Sequence, residues 1–121
     1  MIILVSKARQ KGYRTVSSGK KIFLKNGYIG ANLEKSGKFV KDKDLFNLWD
    51  YLFIKGKTHV FVQFKTNCIF GKKKPRKWTL PYINFGIKHS NEYVRYEIWN
   101  KKDRYGFEVL ECNKKWRKKQ R

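Results

Sequence analysis

The chain has 121 residues, with 30 Lys+Arg against 9 Asp+Glu and a formal charge of +21. That length fits one domain, and 40% apolar with 17% aromatic residues is enough for a core, which excludes an intrinsically disordered chain. No apolar run approaches the ~18 residues of a membrane span, and the cations are scattered rather than gathered on one helix face, so a polyanion, most commonly nucleic acid, is the expected partner and a membrane is not.

Met1 to Val5 is apolar but short, with no basic segment before it and no cleavage site after it, so it does not read as a signal peptide. Residues 6–25 are basic, and their later part can form a helix with Val16, Ile22 and Phe23 on its apolar side. Ser17, Ser18 and Gly19 weaken that helix, and Asn26-Gly27 stops it. Tyr28 to Leu33 reads as a short strand, and Glu34 to Asp44 as a polar hairpin or loop.

Leu48 to Lys55 and Thr58 to Thr66 are rich in aromatic and β-branched residues, and Gly56-Lys57 between them suits a type II′ hairpin turn. Cys68 to Lys77 is a loop carrying Lys72, Lys73, Lys74, Arg76 and Lys77, five cations in six positions. Thr79 is placed to cap a helix running to about Ser90, with Pro81 in its first turn and Leu80, Ile83 and Ile87 as its apolar stripe. Tyr93 to Trp99 and Tyr105 to Cys112 read as two more strands, and a frayed basic tail begins at Asn113. The expected organisation is one α/β domain over residues 1–112 and a tail over 113–121.

Cys68 and Cys112 are too few for a disulfide framework or a four-ligand zinc site, which fits a reducing, cytoplasmic setting. His59 and His89 stand at no zinc spacing, and no Gly-rich phosphate loop is present.

The hairpin register sets Lys55 opposite Thr58 and, carried down the ladder, Asp50 opposite Gln63. Directly opposed side chains share a face with Cβ atoms about 4.5–5.5 Å apart, and Lys65 follows on the face of Gln63. Their neighbours Trp49, Tyr51, Val62 and Phe64 are strongly apolar. A carboxylate beside an amide oxygen suits Mg²⁺, which takes oxygen ligands and keeps several waters. A lysine next to such an ion can orient or deprotonate an attacking water. Spacing alone leaves open an ordinary ion pair at a wetted strand end.

These residues resemble a known signature. Asp50-Tyr51-Leu52-Phe53-Ile54, a two-residue turn and Val62-Gln63-Phe64-Lys65 look like the motif of the PD-(D/E)xK nucleases, in particular the archaeal Holliday-junction resolvase-like enzymes and short resolvase-like proteins of archaea and their viruses. Lys11-Gly12 with Gly27-Tyr28, the run Asp44 to Asp50, Tyr96 to Trp99 and Gly106 to Val109 resemble the flanking blocks of that family in the same order, over roughly residues 7–112. The resemblance implies a restriction-endonuclease-like core, with a mixed sheet of about five strands flanked by helices. It also implies Asp50 as metal ligand, Gln63 in the position of a metal-binding Glu, Lys65 as the catalytic lysine and the Phe64 carbonyl as a further ligand. The cofactor would be Mg²⁺ or Mn²⁺, the substrate DNA in preference to RNA, and the assembly a two-fold dimer.

Two positions depart from the family pattern. Gln63 is a neutral amide, and Val16 stands where the first-helix Glu belongs. Asp44 in the preceding loop is the best replacement ligand, ahead of Asp42 and Glu34. Arg9, Lys11 and Arg14, with the 72–77 cations, are the candidate contacts to nucleic acid. Asp50 and Lys65 favour a metal-dependent endonuclease. Val16 and Gln63 favour a module of the same fold that binds nucleic acid without cutting it. An RNA-binding protein unrelated to nucleases is the third reading, and it requires that Asp50 and Lys65 lie apart.

Overall fold

The computed structural model describes residues 7–33, 48–113 and 118–120. Helix α1 (Lys7–Lys25) is followed by strands β1 (Ile29–Asn32), β2 (Tyr51–Lys55) and β3 (Thr58–Thr66). A 3₁₀ turn (Lys77–Thr79), helix α2 (Leu80–His89) and strands β4 (Val94–Lys101), β5 (Phe107–Glu111) and β6 (Lys118–Gln120) complete the chain. The strands form one mixed sheet in sequence order, β1 to β6. Every neighbouring pair is antiparallel except β3–β4, which runs parallel with α2 in the crossover between them. The sequence-level loop over Glu34 to Asp44 lies outside the described residues.

Alternation along the strands divides the core into two layers. Val60, Val62 and Phe64 of β3, Trp99 of β4, and Phe107 and Val109 of β5 pack with Phe23 on the α1 side. Phe61, Tyr96, Ile98 and Leu110 point the other way and pack with Tyr82 and Ile83 of α2. The middle strands are thus covered on both faces, as a parallel pair requires.

Helix α1 runs through Ser17-Ser18-Gly19 because its buried face needs small groups there. Thr15 is buried and its hydroxyl meets that of Thr66 at 2.7 Å. A Cβ on Gly19 would collide with the Phe64 ring. One turn on, Phe23 stacks on Phe53 with ring centres 4.0 Å apart. Tertiary packing outweighs the poor intrinsic propensity of the segment. The helix ends where Asn26-Gly27 predicts. Gly27 has φ +88°, its N–H donates to the Leu24 carbonyl, and the Tyr28 N–H reaches back to Phe23. This is the paired bonding of a Schellman motif.

The β2–β3 hairpin turns on Gly56 with φ +59°, and Lys55 pairs with Thr58 as expected. Helix α2 departs from expectation in two ways. Thr79 does not cap it: the residue is buried and its hydroxyl donates to the Arg76 carbonyl at 2.6 Å. The buried face is Tyr82, Ile83 and Gly86, whereas Leu80 and Ile87 are 41% and 43% exposed. Gly86 fixes that choice, since a Cβ there would strike the Cys112 carbonyl. The end of the chain also differs from a frayed tail: residues 118–120 pair with β5 as a sixth strand.

Candidate functional site

Asp50 sits at the mouth of β2. Its carbonyl accepts from the Leu33 N–H at 2.7 Å and its own N–H donates to the Val62 carbonyl at 3.2 Å. Val62 is already the ladder partner of Tyr51, so two consecutive residues face one on β3. That is the arrangement of a β-bulge, which re-aims side chains at strand ends. The ladder therefore closes one pair short of the expected Asp50–Gln63 opposition. Trp49 turns into the α2-side core, where it is fully buried against Tyr82 and Tyr96. Asp50 instead joins Tyr51 in the wall of a cavity beneath α1.

This cavity, of about 780 Å³, is lined by Gly12, Tyr13, Val16 and Lys20 of the helix and by Asp50 and Lys65 of the hairpin, among others. Asp50 and Lys65 thus share one cavity. Lys20 Nζ lies 4.7 Å from the centre of the Tyr51 ring, and Lys65 Nζ lies 5.8 Å from that of Trp78. Both are cation–π distances. Asp50 also acts across the sheet end. Burial pushes the Tyr82 phenol above its ordinary range, and the Asp50 carboxylate adds to that shift.

Gln63 does not line the cavity. Its side chain shares a face of β3 with that of Lys65, two residues on, and its Oε1 is buried without a hydrogen-bond partner. Trp49 Nε1, in the α2-side core, is likewise buried and unpaired. The Phe64 ring packs in the α1-side core, and its residue lines the cavity between Gln63 and Lys65 in the chain. Val16 is in the cavity wall, where the family resemblance places a glutamate. Asp44 lies outside the described residues, and no group of three His, Cys, Asp or Glu among those described could hold a metal.

The donors that remain are oxygens: the Asp50 carboxylate, the Gln63 amide and the Phe64 carbonyl. That set fits a hard divalent cation such as Mg²⁺. The unpaired buried Gln63 Oε1 is the observation favouring such a ligand, because a buried acceptor left unsatisfied is costly. With one carboxylate, such a set would hold the ion weakly.

The basic loop beyond β3 is a built structure. Asn67 and Gly71 take φ values of +52° and +105°. Phe70 is buried as a plug against Trp78, the Arg76 N–H donates to the Phe70 carbonyl at 2.8 Å, and Trp78 Nε1 donates to the Ile69 carbonyl at 2.9 Å. Buried Asn100 of β4 bonds both the N–H and the carbonyl of Cys68. Lys102 Nζ donates to the same carbonyl at 2.9 Å. Lys72, Lys73, Lys74, Arg76 and Lys77 are thereby held exposed on an anchored frame that begins at the cavity wall. Arg14 is exposed on α1, while the side chains of Arg9 and Lys11 lie outside those described.

Sequence reasoning missed Asn100, Asn67 and Phe70, which position this loop. It also missed Glu97, a buried carboxylate bonded by Trp99 Nε1 at 3.1 Å and paired with Arg95 at 3.5 Å. Only the polar character of Glu97 and Asn100 inside an aromatic strand hints at them. The chain matches no protein-family model and no curated protein.

Proposed function

We propose that this chain is a cytoplasmic DNA-binding protein that hydrolyses phosphodiester bonds with Mg²⁺ or Mn²⁺, in the manner of the resolvase-like nucleases it resembles. The observation that carries the reading is the cavity shared by Asp50 and Lys65, continuous with an anchored loop of five exposed cations. The loop and Arg14 hold the DNA backbone through its phosphates. Asp50, Gln63 and the Phe64 carbonyl would hold the cation. When bound, it supplies charge stabilisation at a phosphoryl oxygen and a more acidic water. Lys65 donates hydrogen bonds to the water or the phosphate and balances the charge that develops there. A two-fold dimer would present two such cavities to a four-way junction.

The test is cleavage of linear, nicked and four-way DNA with Mg²⁺ or Mn²⁺, beside Asp50→Ala and Lys65→Ala. Cutting by the parent protein and its loss in both variants, with binding retained, is the expected result. Cutting that survives Asp50→Ala contradicts the reading. Val16 in the cavity wall favours a second reading, a DNA-binding module without hydrolysis. Binding without cutting in every condition decides for it.

A further inference from the structure

The turn joining β4 to β5 stands at the same end of the sheet as Asp50 and Lys65, because Lys101 closes the parallel ladder opposite Thr66. Tyr105 at its tip is 75% exposed, the most exposed of the large apolar side chains among the described residues. An aromatic ring held in water on a mobile loop would mean little. This turn is pinned. The Tyr105 N–H donates to the Lys102 carbonyl at 3.0 Å, and the Lys102 N–H to the Gly106 carbonyl at 3.2 Å. Lys101 Nζ donates to the Tyr105 carbonyl at 3.0 Å.

The tip is also tied to the site loop. Asn67 donates its N–H to the Lys101 carbonyl at 2.8 Å and accepts from the Asp103 N–H through Oδ1 at 3.0 Å. Lys102 Nζ reaches the carbonyl of Cys68, a cavity-lining residue. Arg104, exposed beside Tyr105, takes φ +67°, a left-handed conformation that L side chains rarely adopt. Strain of this kind persists where the surroundings over-determine it and marks functional turns. The tip is net basic, with Lys101, Lys102 and Arg104 against Asp103.

We propose that Tyr105 is a stacking platform for an unpaired DNA base, and that the Arg104-Tyr105 tip selects DNA with bases out of the helical stack. The inference rests on the DNA-binding reading above and names its substrate class. The cations of the anchored loop hold the phosphates of any duplex, because backbone contacts carry no sequence information directly. An exposed ring on a pinned backbone, flanked by cations, adds affinity only when a base is free to stack on it. The tip contributes discrimination and the loop contributes general affinity.

The experiment compares anisotropy of two labelled DNAs, a fully paired duplex and the same duplex with a central bulge of unpaired nucleotides, in EDTA. Cleavage therefore plays no part in the readout. The parent protein is expected to prefer the bulged duplex by about tenfold, within what base–aromatic stacking supplies. Tyr105→Ala abolishes that preference without changing affinity for the paired duplex, and Tyr105→Phe keeps it. Fluorescence of 2-aminopurine in the bulge is quenched by the parent and not by Tyr105→Ala. Equal effects of Tyr105→Ala on both duplexes, or no effect on either, overturn the platform while leaving DNA binding intact. Failure of the parent protein to bind either duplex overturns the DNA-binding reading and this inference with it.

Discussion

Asn100 and Cys68 exchange two hydrogen bonds across the sheet end: Asn100 Nδ2 donates to the Cys68 carbonyl at 2.7 Å, and the Cys68 N–H donates to Asn100 Oδ1 at 3.0 Å. A side chain here supplies the donor and acceptor that a strand neighbour would. Asn100 is fully buried, so Asn100→Ala strips the Cys68 N–H of its acceptor and leaves the Cys68 carbonyl to Lys102 Nζ. Leaving that N–H unsatisfied costs about 1–3 kcal/mol. Urea denaturation measures that loss, and DNA affinity falls alongside it because the loop's cations lose their anchor. Unchanged stability contradicts the role given to this pair.

Gln63→Glu places a carboxylate at the end of the hairpin, on the face of β3 that carries Lys65. Adding one negative ligand raises the affinity of a hard-cation site, so calorimetric titration with Mg²⁺ or Mn²⁺ gives a lower Kd for the variant. A buried carboxylate without a partner is also costly, so without metal the variant is less stable than the parent. Equal metal affinity in variant and parent removes Gln63 from the ligand set.

On the proposed DNA-binding reading, the loop cations act through phosphates. Replacing Lys72, Lys73 and Lys74 by Ala together weakens binding to all DNA forms alike and flattens the salt dependence, by up to about 0.9 in log–log slope for each phosphate no longer neutralised. Anisotropy titrations across a range of salt concentrations read this directly. A slope that stays the same shows that the three lysines touch no phosphate.

Alkaline pH loosens the fold. Burial pushes the Cys112 thiol far above its ordinary 9.0, and the Glu97 and Glu111 carboxylates push it further. The Tyr82 phenol is also raised, from 10.0. Both groups hold their protons in the folded state after the unfolded chain has begun to lose them. Their contribution is complete below those ordinary values and declines as pH rises through and above them. The decline approaches about 1.4 kcal/mol per pH unit for each group. Urea midpoints from about pH 8 to 11 follow this loss, and Cys112→Ala delays its onset by about one unit, to the range where Tyr82 takes over.

The β2–β3 hairpin was legible because period-two hydrophobicity and the Gly56-Lys57 turn specify the same register. The stop at Asn26-Gly27 was legible for a similar local reason. The doubled residue at Asp50 was not, since no residue type marks a bulge whose cause is a tryptophan needing a place in the opposite layer. The face of α2 was misread because helical spacing permits two stripes, one through Leu80 and Ile87 and one through Tyr82 and Gly86. Only the strand packed beneath the helix decides between them. The α/β class and a sheet of about five strands follow from element order, whereas β6 pairs through its backbone and leaves little trace in side chains.

The single parallel ladder between β3 and β4 has a consequence for synthesis. All antiparallel joins as far as Thr66 can form while the nascent chain emerges from the ribosome, yet β3 then waits with one open edge until α2 and β4 follow. Long-range parallel pairing is intrinsically slow and exposes unpaired strands to aggregation. The Asn100 clamp on Cys68, at the cavity wall, arrives only with that late half.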